Sequence, residues 1–426
     1  MSNPEKPNST SVIGRLLSVV LAFGPGIFAI GYTIGTGSVT SMIVAGSEFG
    51  MQLLWVLLLS CFFSGILIYT YGKYALVSGK TALFSFRNYV KYGKYLALFI
   101  FIAVSFGQWG SLMGILAISS NIIFEILDLN FPGLSESKYA IVLIIATIIM
   151  TIFYGIMLIG KYSFFEKLLV IFVSIMGFSF IFSLFFVHPL PQDVILGLVP
   201  TIPNADEGGY LMVAAFVGTT MAAATFLSRP LFIQGKGWTI NDMGQQKNDA
   251  IMAAVLVFVI SGAIMAVAHG ALFVNGEVVD NVLDMSKPLE PIAGKFAVSI
   301  FFFGTLSAGL SSIFPCLLIA PLLLADYQSG ELDTKSKQFR IITFIACLAA
   351  MVGPVLGAKP IQVQILSQVF NVFALPAVVL GIIILVNNKD LMKGTQMGTF
   401  VKVGLWTAFI FSLIVSATGI IGLLEL

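Results

Sequence analysis

Residues 16–44 read LLSVVLAFGPGIFAIGYTIGTGSVTSMIV, without a charged residue, and exceed the ~20 residues that a spanning helix needs. At the centre lies Gly35-Thr36-Gly37-Ser38. Two glycines two positions apart, flanked by hydroxyl residues, weaken a helix interior and favour unwinding. Inside a bilayer, unwound backbone is tolerated only where it is buried in protein or lines a cavity. The stretch therefore reads as a spanning helix broken near the membrane midplane, where such breaks frame a solute site. The competing reading is a glycine-rich packing face against a neighbouring helix.

The rest of the chain agrees with a membrane setting. It is 58% hydrophobic and 10% charged, with a mean hydropathy of +1.01; soluble domains carry about 25% charged residues. The net charge of +2 gives no footing for nucleic acid. Cys61, Cys316 and Cys347 lie in apolar runs and read as buried thiols, not a disulfide framework. His188 and His269 are far apart, so no histidine-based metal centre is expected, and no cofactor. No nucleophile–base pair or metal triad falls within the apolar stretches, which argues against an enzyme. The first apolar run is too long for a signal-peptide core and lacks a small-residue cleavage pattern, so it reads as retained.

Eleven spans are expected, near 16–44, 51–71, 96–124, 139–157, 166–187, 211–234, 250–273, 291–324, 341–357, 361–387 and 403–424. With the N-terminus in the cytoplasm, all but Lys138, Lys287, Lys295 and Lys359 of the 22 basic residues fall on the inside. That is the bias expected of cytoplasmic loops, and it places the C-terminus outside. The sixth span, with Gly218 to Thr225 at its centre, looks like the partner of the first. Breaks five spans apart suggest two inverted repeats, 16–187 and 211–387, plus an additional helix at 403–424, all within one transmembrane domain, 1–426. Arg229-Pro230 is expected to end the sixth span at the cytoplasmic surface, where the arginine can snorkel. His269 reads as an interfacial or hydrogen-bonded histidine.

Several of these segments, in order, resemble the Nramp family of divalent-metal transporters. They are Gly24-Pro25-Gly26 with the following break, Ala45-Gly46-Ser47-Glu48-Phe49-Gly50 and Leu53-Leu54-Trp55-Val56. Phe165-Glu166-Lys167-Leu168, Gly218-Thr219-Thr220 and Ser307-Ala308-Gly309-Leu310-Ser311-Ser312 follow. Leu366-Ser367-Gln368-Val369 with Leu375-Pro376 completes the set. The resemblance implies an all-α membrane protein of LeuT-like fold, with helices 1 and 6 broken, working by alternating access as a secondary transporter. It implies an integral protein of the cell (inner) membrane.

The same resemblance exposes a degenerate metal site. Where the family carries Asp-Pro-Gly-Asn in span 1, this chain has Gly35-Thr36-Gly37-Ser38; where it carries Met-Pro-His in span 6, this chain has Ala222-Ala223-Ala224. Gln108 stands nearest the acidic residue of the family's proton route, and Gln368 in span 10 is retained. The expected substrate-binding set is Gly35, Thr36, Gly37, Ser38, Gln108, Thr219, Thr220, Ala222, Thr225, Gln368 and Asn371. Such a cavity offers hydroxyls, amides and freed carbonyls but no carboxylate, imidazole or thioether at the matching positions. Hard divalent cations want oxygen ligands that usually include carboxylate, so the nominal metal cargo competes with a small neutral, zwitterionic or anionic organic solute. Gly35-Thr36-Gly37-Ser38 also resembles the Gly-x-Gly-Ser break of amino-acid transporters of this fold. A sodium ion at Ser311 and Ser312 is the candidate coupling ion, with helix packing as the alternative role for those serines. A non-transporting receptor or structural protein that kept the fold is the third reading. The partners expected are a small solute or ion and the lipid bilayer; oligomeric state is not legible.

The basic-residue bias generates a topology test. Single cysteines introduced between Lys80 and Lys94 should react only with reagent supplied from the cytoplasmic side; labelling from outside would invert the orientation.

Overall fold

The computed structural model describes residues 26–131, 133–159, 162–187, 189–202, 208–276, 286–331, 335–357 and 360–425. Gly24, Pro25, His188 and the first ten residues of the first expected span lie outside them. The helices are α1 (Gly26–Thr33), α2 (Thr36–Glu48), α3 (Leu54–Ser78), α4 (Ala82–Tyr89) and α5 (Gly93–Asn130). There follow α6 (Lys138–Ile159), α7 (Tyr162–Ser183), α8 (Pro191–Leu196), α9 (Gly209–Thr220) and α10 (Ala223–Gly235). The chain continues with α11 (Met243–Ala271), α12 (Ser286–Gln328), α13 (Lys337–Leu356), α14 (Pro360–Asn387) and α15 (Thr399–Leu424). The described residues contain no β-strand.

Nine helical segments among the described residues are long and apolar enough to cross a membrane. The α9–α10 pair is one of them, interrupted at Met221 and Ala222. The α1–α2 pair and α7 stand where the first and fifth spans were expected. The first break is narrower than the glycine spacing suggested. Only Ile34 and Gly35 leave the helix, with Gly35 extended at φ −90°, ψ −174°, and Thr36, Gly37 and Ser38 form the first turn of α2. Every residue from Thr36 to Ser47 is buried, so packing on all sides offsets the poor helix propensity of Gly37.

The two broken spans form the middle of the molecule. α14 packs against α5 and α9, α12 against α5 and α7, and α11 against α2 and α3. α6, α13 and α15 are the outer helices, and the apolar side chains of Ile144, Ile148, Ile152, Phe344, Ile410 and Ile414 are exposed. Such a surface fits a lipid setting.

Breaking a helix frees carbonyls, each costing several kcal/mol if left unpaired in hydrocarbon. Hydroxyls take them here. Thr219 Oγ1 donates to Thr33 O at 3.1 Å, tying the second break to the first. Ser312 Oγ donates to Gly31 O at 2.8 Å, and Ser64 Oγ donates to Thr220 O at 2.6 Å.

Both ends of the central helices are held by polar side-chain contacts. Arg229 does not reach the surface, as the sequence suggested; it is 2% exposed and pairs with Asp249 of α11 at 2.6 Å. The reason is that Pro230 does not end the helix: α10 runs on to Gly235 and keeps Arg229 inside. Asp249 Oδ2 also accepts the Gly26 N–H at 2.8 Å, so one carboxylate joins α10, α11 and the start of α1. At the opposite end, His269 Nε2 lies 3.1 Å from Asp193 Oδ2 of α8. Trp55 fastens the same segment, donating its indole N–H to Thr201 O and its backbone N–H to Gly197 O.

Removing one partner of a buried ion pair strands the other charge, at about 3–5 kcal/mol. Asp249→Ala should therefore lower the melting midpoint of the purified protein far more than the double change Arg229→Leu/Asp249→Leu. Equal losses would show that the pair contributes no more than packing.

Candidate functional site

Between the two breaks lies a small cavity of about 20 Å³. A single water needs roughly 10–15 Å³ by the same measure, so the space suits one water-sized occupant. Gly35, Gly37 and Ser38 line it from the first broken span, with Thr219 and Ala222 from the second. Gln108 of α5, Ser312 of α12, and Gln368 and Asn371 of α14 complete the part that the sequence anticipated.

Four expected residues do not line it. Thr220 turns its hydroxyl back to Phe216 O within α9. Thr36 is directed at Gly309 of α12. Ser311 hydrogen-bonds to Ala308 O and Gly31 O behind the cavity, and Thr225 is buried beyond the break in α10. Tyr32, Ser111, Ile115 and Cys316 line the cavity unannounced. Helical spacing was the available signal: Ser111 and Ile115 follow Gln108 by three and seven residues, and Cys316 follows Ser312 by four, so each shares a face with an anticipated residue.

A directional chain of amides runs along one wall. Cys316 Sγ donates to Gln108 Oε1 at 3.4 Å, and Gln108 Nε2 donates to Asn371 Oδ1 at 3.1 Å. Asn371 Nδ2 donates to Gln368 Oε1 at 3.2 Å, and Gln368 Nε2 donates to Ser111 Oγ at 2.9 Å. Each amide oxygen accepts one of these bonds and has a second lone pair. The wall is thus polar, ordered and without a carboxylate, and the described residues contain no cluster of three His, Cys, Asp or Glu.

The glycines at the break sit in close contact with neighbouring side chains. A Cβ on Gly35 would collide with Ser312 Oγ, and one on Gly37 would stand 2.5 Å from Gln368 Nε2 and 2.8 Å from Gln364 Oε1. The volume that the family's aspartate would need is filled by Ser312. A larger concavity, about 550 Å³, lies on the lipid-facing side between α3, α11 and α15, and its walls are almost wholly apolar. It offers none of the convergent polar groups that mark a solute site.

Two broken helices that meet at one partly polar cavity, within a membrane-spanning bundle, mark a secondary transporter of the broken-helix type. The family described as Natural resistance-associated macrophage protein-like (Nramp) matches residues 26–422, and the chain belongs to that family. A divalent metal cation transporter MntH from Klebsiella pneumoniae is 24% identical over 429 residues, covering 98% of this chain and 97% of that one. Some other MntH relatives match over only about half of their length. The manganese transporter of Eremococcus coleocola, in complex with an aromatic bis-isothiourea compound, superposes with a TM-score of 0.72 at 15% identity, over 98% of this chain and 88% of that one. MhsT in complex with L-phenylalanine gives 0.61 at 18% identity, over 99% and 100%. At these identities the structural likeness establishes the fold alone.

Restoring an aspartate at the break should fail by itself. Gly35→Asp should lower the melting midpoint and add no metal affinity, whereas Gly35→Asp with Ser312→Gly should recover much of the stability. Manganese titration and thermal unfolding of the three proteins check this; a stable, metal-binding single variant would contradict the packing argument.

Proposed function

We propose that this chain carries a small cation, one at a time, through the cavity between its broken helices, with divalent metal as the cargo class. The small size of the cavity carries the reading. Pockets for drug-sized organic ligands run to about 300–1,000 Å³, far above the 20 Å³ found here. An ion stripped of most of its water fits the space as it stands. The names of the MntH relatives point the same way. The Gln108, Asn371 and Gln368 oxygens supply lone pairs, and the helix break supplies carbonyl dipoles. Without a carboxylate the site holds a hard divalent ion more weakly than one that has it.

The wider assignments belong to the same proposal. The chain acts as a transporter and not as an enzyme. It lies in the cell membrane with its N-terminus cytoplasmic and its C-terminus outside, and it is built of two inverted repeats, 16–187 and 211–387, with 403–424 added. Coupling falls to the oxygens behind the first break. Ser312 Oγ lies 2.8 Å from Gly31 O, and Ser311 Oγ lies 3.5 Å from Gly31 O and 2.9 Å from Ala308 O, a hard set suited to sodium. Gln108, Gln368 and Asn371 give no carboxylate for a proton relay.

Proteoliposomes with an entrapped metal-sensitive dye test the reading. The wild type should admit Mn²⁺ or Cd²⁺ faster than empty liposomes. Gln368→Ala removes one ligand oxygen and leaves the Asn371 amide unpaired, so uptake should fall about tenfold, or ~1.4 kcal/mol. Wild-type liposomes that pass no metal, or a Gln368→Ala variant as fast as wild type, would overturn it.

A further inference from the structure

We propose that Cys316 is a direct ligand of the transported ion, and that the cavity is therefore built for a thiophilic divalent cation of the zinc or cadmium kind. The inference rests on the cation reading above and names the class of metal.

Cys316 lies in α12 and is 3% exposed. It lines the same cavity as Gln108, Gln368 and Asn371. Its Sγ stands 3.4 Å from Gln108 Oε1. On a tetrahedral zinc with the usual Zn–S and Zn–O lengths, sulfur and oxygen lie about 3.6 Å apart. A metal can thus take the place of the thiol proton between these two atoms with little movement of either side chain.

The rest of the wall is set for this exchange. Gln108 cannot easily turn its oxygen away, because its Nε2 is committed to Asn371 Oδ1 and Asn371 in turn to Gln368 Oε1. The metal–sulfur bond forms as the S–H bond breaks, and the proton leaves on water released from the ion's hydration shell. No oxidant or reductant is needed. The thiolate then supplies the negative charge that the amides lack, leaving one net positive charge in place of two. Thiolate sulfur selects zinc-like and softer ions, whereas manganese and magnesium favour oxygen. The missing carboxylate and the buried thiol are then two sides of one change in specificity.

Cd²⁺ is the probe, because a cadmium–thiolate bond has its own ultraviolet charge-transfer band. The full-length protein is purified in detergent and titrated with Cd²⁺ and separately with Mn²⁺. Wild type should develop the band and bind Cd²⁺ more tightly than Mn²⁺. Cys316→Ser should lose the band and at least roughly tenfold in Cd²⁺ affinity, while its Mn²⁺ affinity stays within about twofold. Cys61→Ser and Cys347→Ser should behave as wild type, since Cys61 faces the lipid-side groove and Cys347 lies in α13. Cys316→Ala guards against a hydroxyl substituting as ligand, and an unchanged melting midpoint shows that either variant is folded. A band that persists in both Cys316 variants overturns the proposal while leaving cation transport standing. If neither metal binds the wild type, the cation reading falls and this inference with it.

Discussion

The hydrogen bond from Thr219 to Thr33 O at 3.1 Å is the interaction on which the rest depends. It joins the two places where a spanning helix stops being a helix. In hydrocarbon such stops are untenable unless each freed carbonyl finds a donor inside the protein. Ser312 and Ser64 do the same for Gly31 O and Thr220 O. Small hydroxyl residues suit the task, because they satisfy a carbonyl without occupying the space beside it. That space is the cavity.

The wall chemistry follows from this arrangement. A cavity of one water's size cannot hold a solvated ion, so its lining must replace the hydration shell. Here the replacement is a chain of neutral amides that ends in a thiol. Fixed charge is kept away from it, in the Arg229–Asp249 pair on one side and the His269–Asp193 contact on the other. Alternating access requires the cavity to open to each side in turn. The carboxylate of Asp249 holds the α1 N–H and the α10 guanidinium together at one end of the broken helices.

Much of this was legible in the sequence. An uncharged run interrupted by Gly35 and Gly37 announced the broken helix. Gln108 and Gln368 stood out through the family resemblance and Asn371 as a further amide of the expected cavity, and all three line the cavity between the breaks. What escaped has a common physical cause: it depends on which way a side chain turns. Thr36, Thr220, Thr225 and Ser311 lie within a residue or a turn of the cavity but do not line it, whereas Cys316 reads as an inert core thiol until α12 is set against α5. Arg229 escaped differently. Its partner Asp249 is twenty residues away in the sequence, on the next helix, and without that partner a buried guanidinium is untenable.

The central claim is that one metal ion sits between the helix breaks on neutral oxygens and one sulfur. Anomalous scattering from the crystallised protein with Cd²⁺ tests it most directly. The account predicts a peak in the cavity, within bonding distance of Cys316 Sγ and of the Gln108 amide oxygen. Ordered cadmium only at Asp249 or the protein surface, with the cavity empty or holding an organic molecule, would contradict it.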